Sequence, residues 1–224
     1  LYGYAGKILR VNLSTGQIST QPVQEYARKW LGGRGINLRL LYDESRPGIT
    51  PFEPNNPLIF GTGPMTGTLV PGSCRLEVAS KNAFSNGIGS SDAGGFFAPE
   101  MKYAGYDHIV VTGRSKLPVY LWIKDEKVEI RDATGLWGKT TWDTYEGLRE
   151  ELSDDNIQVA SIGPAGENLV RSAAIIMNRS RAAAKCGLAA VMGSKNLKAI
   201  VVRGTGTVDV ADPKEHMHMV KQVY

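Results

Sequence analysis

The sequence predicts an α+β fold with mostly antiparallel β-sheet and flanking helices. Strand patterns outnumber helical ones, and they follow one another as hairpins do: an alternating run over 7–13 meets Ser14-Thr15-Gly16 and then a second run through Ile18. Three more strand patterns crowd between 108 and 131, the last two joined by an Asp125-Glu126 turn. Parallel crossovers would need a helix between successive strands, so a doubly wound fold is not expected.

Hydrophobic spacing and turn residues predict the other elements. Tyr26 and Trp30 have helical spacing before a stop at Gly32-Gly33, and Thr140 or Thr141 is placed to cap a helix whose apolar face includes Leu148. Further short helices are expected at 36–42 and 96–101. Four prolines indicate a loop over 46–57, and glycine-rich irregular segments are predicted at 61–73, 87–95 and 178–193. The remaining strands are expected at 58–60, 75–80, 158–162, 172–177 and 199–202.

The end of the chain indicates a domain boundary. Asp212-Pro213 is typical of an N-cap followed by proline in the first helical turn, and Met217, Val220 and Tyr224 begin an apolar stripe. Because the sequence stops inside this helix, we expect residues 1–210 to form one domain and residues 211–224 to start a second, helical one.

Composition excludes several classes of protein. The chain has 224 residues with 42% hydrophobic and 21% charged content, and no apolar run approaches the roughly 20 residues that span a bilayer. Lys and Arg exceed Asp and Glu by 26 to 22, a surplus that suits anionic ligands but not a nucleic-acid-binding stripe. The first residues lack a secretory signal. We therefore expect no membrane span, no nucleic-acid partner and a cytoplasmic location.

Residues with catalytic or metal-binding chemistry are few. Only Cys74 and Cys186 occur, outside any CxxC pattern, so a disulfide framework, a zinc site or a four-cysteine iron-sulfur cluster has no support. His108, His216 and His218 show no ligand spacing, and no nucleophile elbow or HExxH motif is present. The pattern favours binding, and no catalytic residue is assigned in this segment.

Two glycine-rich segments, 61–67 and 87–95, are candidate anion sites. Glycines let main-chain amides approach a phosphate, and the helix expected after the second segment adds its positive end. Glycine-rich hairpin loops without a ligand remain the alternative. Neither segment has the lysine and hydroxyl residue of a P-loop.

Two arginine-containing segments are further candidates. In 179–187, the cations Arg179, Arg181 and Lys185 lie among small residues, which fits close approach of a large, flat anion or, alternatively, an Ala-rich helical turn with solvated ends. Arg75 begins an apolar strand, where an arginine either caps the strand in solvent or points into a site.

Taken together, six ordered blocks make the chain similar to the amino-terminal domain of the tungsten-dependent aldehyde ferredoxin oxidoreductases. The similarity covers about residues 3–212, and six blocks in order are more specific than any one glycine-rich loop. The blocks are 6–16, 63–68, 94–97, 102–107, 161–168 and 190–200.

The resemblance implies two similar subdomains that form a base beneath tungsten, or molybdenum, held by two molybdopterin dithiolenes. In the family, magnesium bridges the pterin phosphates, which meet an arginine after the Gly-Pro-Met-Thr-Gly loop, the Gly-Gly loop and an Arg-Ala-Ala stretch. The corresponding cofactor-binding positions are Arg75, Asp92, Ala93, Gly94, Gly95, Arg181, Ala182, Ala183 and Ala184. Main-chain carbonyls of Asp92 and Ala182 would bind the magnesium.

Two departures from the family pattern leave the subfamily and substrate open. Asp92-Ala93 replaces Asn-Ser before the two glycines, and 184–187 reads Ala-Lys-Cys-Gly where the family has Gly-Arg-Gly-Gly. An added carboxylate beside phosphates requires a cation to offset it, so we expect magnesium to be retained.

The function implied by the resemblance is oxidation of an aldehyde to a carboxylic acid. Electrons would pass singly through a 4Fe-4S cluster, bound by residues outside this chain, to ferredoxin, in a homodimer in oxygen-free cytoplasm. Two alternatives stay open: a related pterin-metal reductase subunit acting on aromatic thioesters, and a non-catalytic module that binds a pterin.

Overall fold

The computed structural model describes residues 1–223, which form two six-stranded sheets and seven α-helices. The strands are β1 Lys7–Asn12, β2 Gln17–Pro22, β3 Leu58–Thr62, β4 Leu76–Lys81, β5 Ile88–Ala93, β6 His108–Thr112, β7 Val119–Lys124, β8 Lys127–Asp132, β9 Gln158–Ser161, β10 Ile175–Met177, β11 Arg181–Ala183 and β12 Leu197–Arg203. The helices are α1 Gln24–Trp30, α2 Gly33–Glu44, α3 Phe97–Tyr103, α4 Thr141–Leu152, α5 Pro164–Glu167, α6 Leu188–Ser194 and α7 Pro213–Val223.

The two sheets have the same topology. The first runs β2-β1-β6-β3-β4-β5 and the second runs β8-β7-β12-β9-β10-β11. If β7 to β12 are renumbered 1 to 6, the strand order of each sheet is 2-1-6-3-4-5. Among the described residues, only β1–β6 and β7–β12 pair in parallel. The predicted α+β class, with two similar and mostly antiparallel subdomains, is confirmed.

The core lies between the sheets. One cluster of buried apolar side chains joins both sheets with α3 and α6, while α1 and α2 cover the outer face of the first sheet and α4 covers that of the second. Helix α3, from the first half, contacts β9 and β12 of the second sheet, and α6 contacts β3 and β4 of the first. Each half thus contributes a helix to the other half's core, which holds the two sheets together.

Two segments predicted as irregular contain strands. Residues 88–93 form β5, and 181–183 form β11, so the alternative of an Ala-rich helical turn at 179–187 is wrong. The one glycine of β5, Gly89, serves packing: a Cβ there would lie 2.5 Å from Asn82 Cβ and 3.1 Å from Leu188 Cδ2. Gly89 is therefore a strand residue whose missing side chain makes room for α6, and the sequence pattern does not distinguish it from a loop glycine.

Most of the predicted helices and strands are present, but α6 lies in the segment 178–193 that was predicted as irregular, and α5 was not predicted. Thr140 caps α4 by accepting a 3.1 Å hydrogen bond from the Asp143 amide. The strand expected at 172–177 begins only at Ile175. Asp212 accepts hydrogen bonds from the amides of Lys214 and Glu215 as α7 begins. Tyr224, the last residue of the predicted stripe, lies outside the described residues.

No helix among residues 1–223 is long and apolar enough to cross a membrane.

Candidate functional site

The two sheets meet at their edge strands, β5 and β11. Ser91 donates a hydrogen bond from Oγ to the Ala184 carbonyl over 2.8 Å, and Cys186 Sγ lies 3.6 Å from the Ser90 carbonyl oxygen. Each edge strand then leads through a short connection into a helix, α3 or α6. The two segments selected from the sequence, around 92–95 and 181–184, therefore occupy equivalent places in the two halves.

Strand register makes the equivalence specific to single residues. Ala93 pairs with Leu76, the first residue of β4, and Ala183 pairs with Ile175, the first residue of β10. Both alanines are buried. Asp92 and Ala182, each one residue earlier, consequently hold the same position in two topologically identical sheets.

A cleft of about 510 Å³ opens where the edge strands meet. Gly72, Cys74 and Ser180 contribute to its wall. Seven of the nine predicted cofactor-binding residues line it: Arg75, Asp92, Ala93, Gly94, Gly95, Arg181 and Ala182. Ala183 instead points into the core, and the Ala184 carbonyl accepts the Ser91 hydrogen bond.

The cleft combines exposed cations with accessible main chain. Arg75 and Arg181 are both exposed. Gly95 has a φ of +103°, and a Cβ there would lie 3.3 Å from Arg181 Cγ, whereas a Cβ on Gly94 would meet no described atom within 4 Å. Glycine at 95 therefore lets the backbone turn beside an arginine, which is a suitable arrangement for a phosphate group.

A second cleft, of about 530 Å³, shares Gly72, Arg75 and Asp92 with the first. Its other wall includes Gly63 to Thr66 of the first predicted glycine-rich segment and two exposed apolar residues, Leu31 and Met65. The candidate segments from both parts of the sequence thus converge on one continuous depression.

Sequence reasoning missed an ionic cluster beside Asp92. Arg34, in the first turn of α2, places Nε 3.4 Å from Glu77 Oε1 and Nη2 3.4 Å from Asp92 Oδ2. Glu77 and Asp92 are directly paired across β4 and β5. The signal available in the sequence was a glutamate inside an apolar strand, two residues after Arg75, which puts both side chains on the same face.

Burial dominates the chemistry of Glu77. Its side chain is 4% exposed, and burial, reinforced by the neighbouring Asp92 carboxyl, raises the pKa of Glu77 to about 7. Ser90 Oγ donates to Glu77 Oε1, and Oε2 has no hydrogen-bond partner among the described residues.

His108 supports this region without entering it. The ring is fully buried, which lowers its pKa to about 3 and keeps it neutral. Its Nδ1 lies 2.8 Å from Asn37 Oδ1, and Asn37 Nδ2 donates to the Glu77 carbonyl over 2.9 Å. His108 therefore helps to fix α2 against β4. Within residues 1–223, no group of three or more His, Cys, Asp or Glu side chains is placed to hold a metal ion.

Comparison with known proteins identifies relatives over nearly the whole chain. The sequence model described as "Aldehyde ferredoxin oxidoreductase, N-terminal domain" matches residues 8–204. A tungsten-containing aldehyde ferredoxin oxidoreductase of Pyrococcus horikoshii is 51% identical over 99% of this chain and 37% of its own length; the Pyrococcus furiosus protein of the same name is 48% identical with the same coverage.

A solved structure gives the same picture of the fold. It is the active-site complex BamBC of benzoyl coenzyme A reductase with 1,5-dienoyl-CoA, which matches with a TM-score of 0.96 and 43% identity over 99% of this chain and 34% of that one. The chain thus spans little more than a third of the length of the relatives it matches.

Proposed function

Since this chain belongs to the aldehyde ferredoxin oxidoreductase family, we propose that it forms the cofactor-binding N-terminal domain of a tungsten enzyme that oxidises aldehydes to carboxylic acids. The observation that carries the proposal is the meeting of β5 and β11, which brings equivalent positions of two identical topologies to one cationic cleft. A cofactor with two pterins suits a base with two similar halves.

The cleft residues fit the phosphate ends of such pterins. Arg75 and Arg181 would donate charge-assisted hydrogen bonds to phosphate oxygens. The main chain at 92–95 and 181–184 would lie against the pterin, because the small residues that line the cleft there, Ala93, Gly94, Gly95 and Ala182, leave the backbone accessible. Electron transfer provides a further role for Arg75, which would help to couple the pterin to the iron-sulfur cluster through hydrogen bonds.

We place a magnesium ion between the halves, bound by the main-chain carbonyls of Asp92 and Ala182. Their equivalent positions in two sheets of the same topology support a shared cation, and magnesium prefers oxygen ligands together with phosphates. The carboxyl groups of Asp92 and Glu77 strengthen the requirement for positive charge near the phosphates.

Bound tungsten bispterin would supply the two-electron chemistry: aldehyde and water become carboxylic acid, with release of two protons and two electrons. The protein would contribute placement and electrostatics. We assign the 4Fe-4S cluster to residues outside this chain, since two cysteines cannot ligate it. Ferredoxin as acceptor, a homodimer and a cytoplasmic location complete the proposal.

Aldehydes are favoured over aromatic thioesters as substrates by sequence similarity. Relatives named as aldehyde oxidoreductases are 47–51% identical to this chain, against 43% for the benzoyl coenzyme A reductase complex. Both classes of enzyme would bind the same cofactor in this cleft. The comparison of identities therefore distinguishes between the two reactions but does not affect the proposed cofactor-binding role of the cleft.

We place the domain boundary near residue 210. The family model ends at 204, and the Gly3 amide donates to the Asp209 carbonyl over 2.7 Å, which ties 205–209 to the first half. Helix α7, from Pro213, has one buried residue, Val220, and would begin the next domain.

Elemental and pterin analysis of the anaerobically purified whole protein tests the proposal. Tungsten with about two pterins, magnesium and roughly four irons per chain is the expected result. Pterin without iron would indicate a carrier module, and the absence of both pterin and tungsten would contradict the proposal. In the same assay, Arg75→Ala should lower cofactor content or slow electron transfer to ferredoxin; a variant unchanged in both would remove Arg75 from the site.

A further inference from the structure

Arg34 is the one side chain in contact with both carboxyl groups of the Glu77–Asp92 pair in the part of the chain that the structure describes. We propose that Arg34 is a positioning residue of the cofactor site: by bridging Glu77 and Asp92 it offsets their charge, so that the adjoining cleft attracts the pterin phosphates. The proposal rests on the cofactor-binding function put forward above.

The geometry suits a bridge that is shared between two acids. Both contacts of the guanidinium are 3.4 Å long, more than the 2.7–2.9 Å or so of an optimal charge-assisted bond, and the side chain is 57% exposed. An arginine has about five N–H donors, of which these contacts use two. Arg34 lines the second cleft together with Arg75, so its charge acts on the same space.

Without Arg34, the carboxyl groups of Glu77 and Asp92 would repel an anionic ligand. Like charges directly opposite each other on neighbouring strands destabilise the pair, and Asp92 lies in the cleft wall itself. Glu77 is almost fully buried, its pKa of about 7 leaves it partly ionised near neutral pH, and its Oε2 has no hydrogen-bond partner among the described residues. Loss of the guanidinium would therefore leave negative charge beside the phosphate site.

The second half of the molecule has neither the acids nor the bridge. Register places Ile176 and Ala182 where the first half has Glu77 and Asp92. Helix α4, which follows the second strand of its half as α1 and α2 follow β2, has Asp143 and no cation in its first turn. A compensating arginine thus occurs in the half that carries the carboxyl pair, as charge compensation requires.

Four forms of the whole protein, produced anaerobically with tungstate, test this role: the parent, Arg34→Gln, the double variant Arg34→Gln/Glu77→Gln and the control Arg39→Gln. Arg39 lies on the same helix and is paired with Asp43, at a hydrogen-bond distance of 2.9 Å, but it lines neither cleft. Pterin and tungsten are measured per folded chain, and retention of both is followed as potassium chloride increases.

We expect Arg34→Gln to retain roughly fivefold less cofactor at limiting supply and to lose it at lower salt, because one nearby positive charge is gone. The double variant should recover most of the loss, and Arg39→Gln should match the parent. Full loading of Arg34→Gln, or no recovery in the double variant, would overturn the role of Arg34. A parent protein without pterin or tungsten would instead overturn the proposed function.

A change in folding alone would be separated by the salt series and by thermal unfolding. If Arg34→Gln unfolds at lower temperature but its folded fraction retains cofactor at every salt concentration as the parent does, Arg34 is structural only, and the proposal is wrong.

Discussion

Ser91 donates its Oγ hydrogen to the Ala184 carbonyl oxygen over 2.8 Å, and this bond ties the edge strand of the first sheet to the segment that follows the edge strand of the second. The bond lies behind the cleft, one residue from Asp92 on one side and two from Ala182 on the other. It therefore holds the two proposed magnesium ligands at a fixed separation.

Ser91→Ala should lower the free energy of unfolding by about 1 kcal/mol, and somewhat more if the Ala184 carbonyl finds no other donor. The same change should reduce magnesium and pterin content, since the two edge strands then lose one of the contacts that set their separation. Chemical denaturation and metal analysis check both effects. The exposed Ser172, changed to alanine, serves as the control; equal effects of the two changes would show that the Ser91 bond does not fix the cleft.

Gly95→Ala should destabilise the protein more than Gly94→Ala. At Gly95 the φ of +103° is strained for alanine, and the new Cβ would come 3.3 Å from Arg181 Cγ; at Gly94 there is open space. We expect a difference of roughly 1 to 3 kcal/mol in unfolding free energy. Parallel denaturation curves measure it. Equal stability of the two variants would mean that the 94–95 turn adjusts without strain.

The sequence predicted the class of fold and most of the cleft, but it could not show the internal symmetry from the residues alone. Equivalent positions carry different chemistry: Glu77 corresponds to Ile176 and Asp92 to Ala182, so no repeat is visible in the amino acids although the strand orders are identical. The symmetry lies in strand order and backbone register, which residues of such different types can share.

The Arg34 cluster was missed for a different reason. Its members are separated by 43 residues between Arg34 and Glu77 and by 58 between Arg34 and Asp92, and only the antiparallel pairing of β4 with β5 beneath α2 brings them together. Motif reading detects residues close in sequence. By contrast, Arg75 and Asp92 were selected because the resemblance assigns cofactor-binding positions to them, and both line one cleft.

Glu77 should make stability fall as the pH rises from about 4.5 to about 7. Its folded pKa, about 7, is above its ordinary value of 4.5, so the folded state binds a proton that the unfolded state has already released in this range. The contribution is complete below pH 4.5 and is lost as the pH rises through 7.

Glu77→Gln should remove that fall. The free energy of unfolding is measured for both proteins at pH 5 and at pH 8. From pH 5 to pH 8 the parent should lose up to about 3 kcal/mol more than the variant. Buried His108, whose folded pKa is lowered to about 3, contributes a slope of opposite sign between about 3 and 6.5 in both proteins, and so cancels in the comparison. Parallel curves for the two proteins would mean that Glu77 titrates normally.

Lys195 should produce a pH dependence in the alkaline range. Its Nζ is buried and donates to the Pro54 carbonyl over 2.8 Å and to the Gly113 carbonyl over 3.4 Å. These bonds link the end of α6 to the 46–57 loop and to the residue that follows β6. Burial, with Arg114 nearby, lowers the pKa of Lys195 from 10.5 to about 7. Between pH 7 and pH 10.5 the amine of Lys195 is therefore neutral in the folded state and charged in the unfolded state. The contribution of Lys195 to the free energy of unfolding is complete above pH 10.5, decreases as the pH falls, and is lost as the pH falls through 7.

Lys195→Met should abolish this rise between pH 7 and pH 9.5, where the parent gains about 3 kcal/mol from the group. At pH 9.5 the variant should also be less stable than the parent by roughly 1 to 2 kcal/mol, because two buried carbonyls lose their donor while the hydrophobic stem is replaced. Denaturation curves at the two pH values measure both effects, with Lys116→Met, at an exposed position of the connection between the halves, as the control. The difference in unfolding free energy between the parent and Lys195→Met could instead be the same at pH 7 and at pH 9.5. That result would show that this lysine remains charged in the core, where the two carbonyl oxygens alone stabilise it.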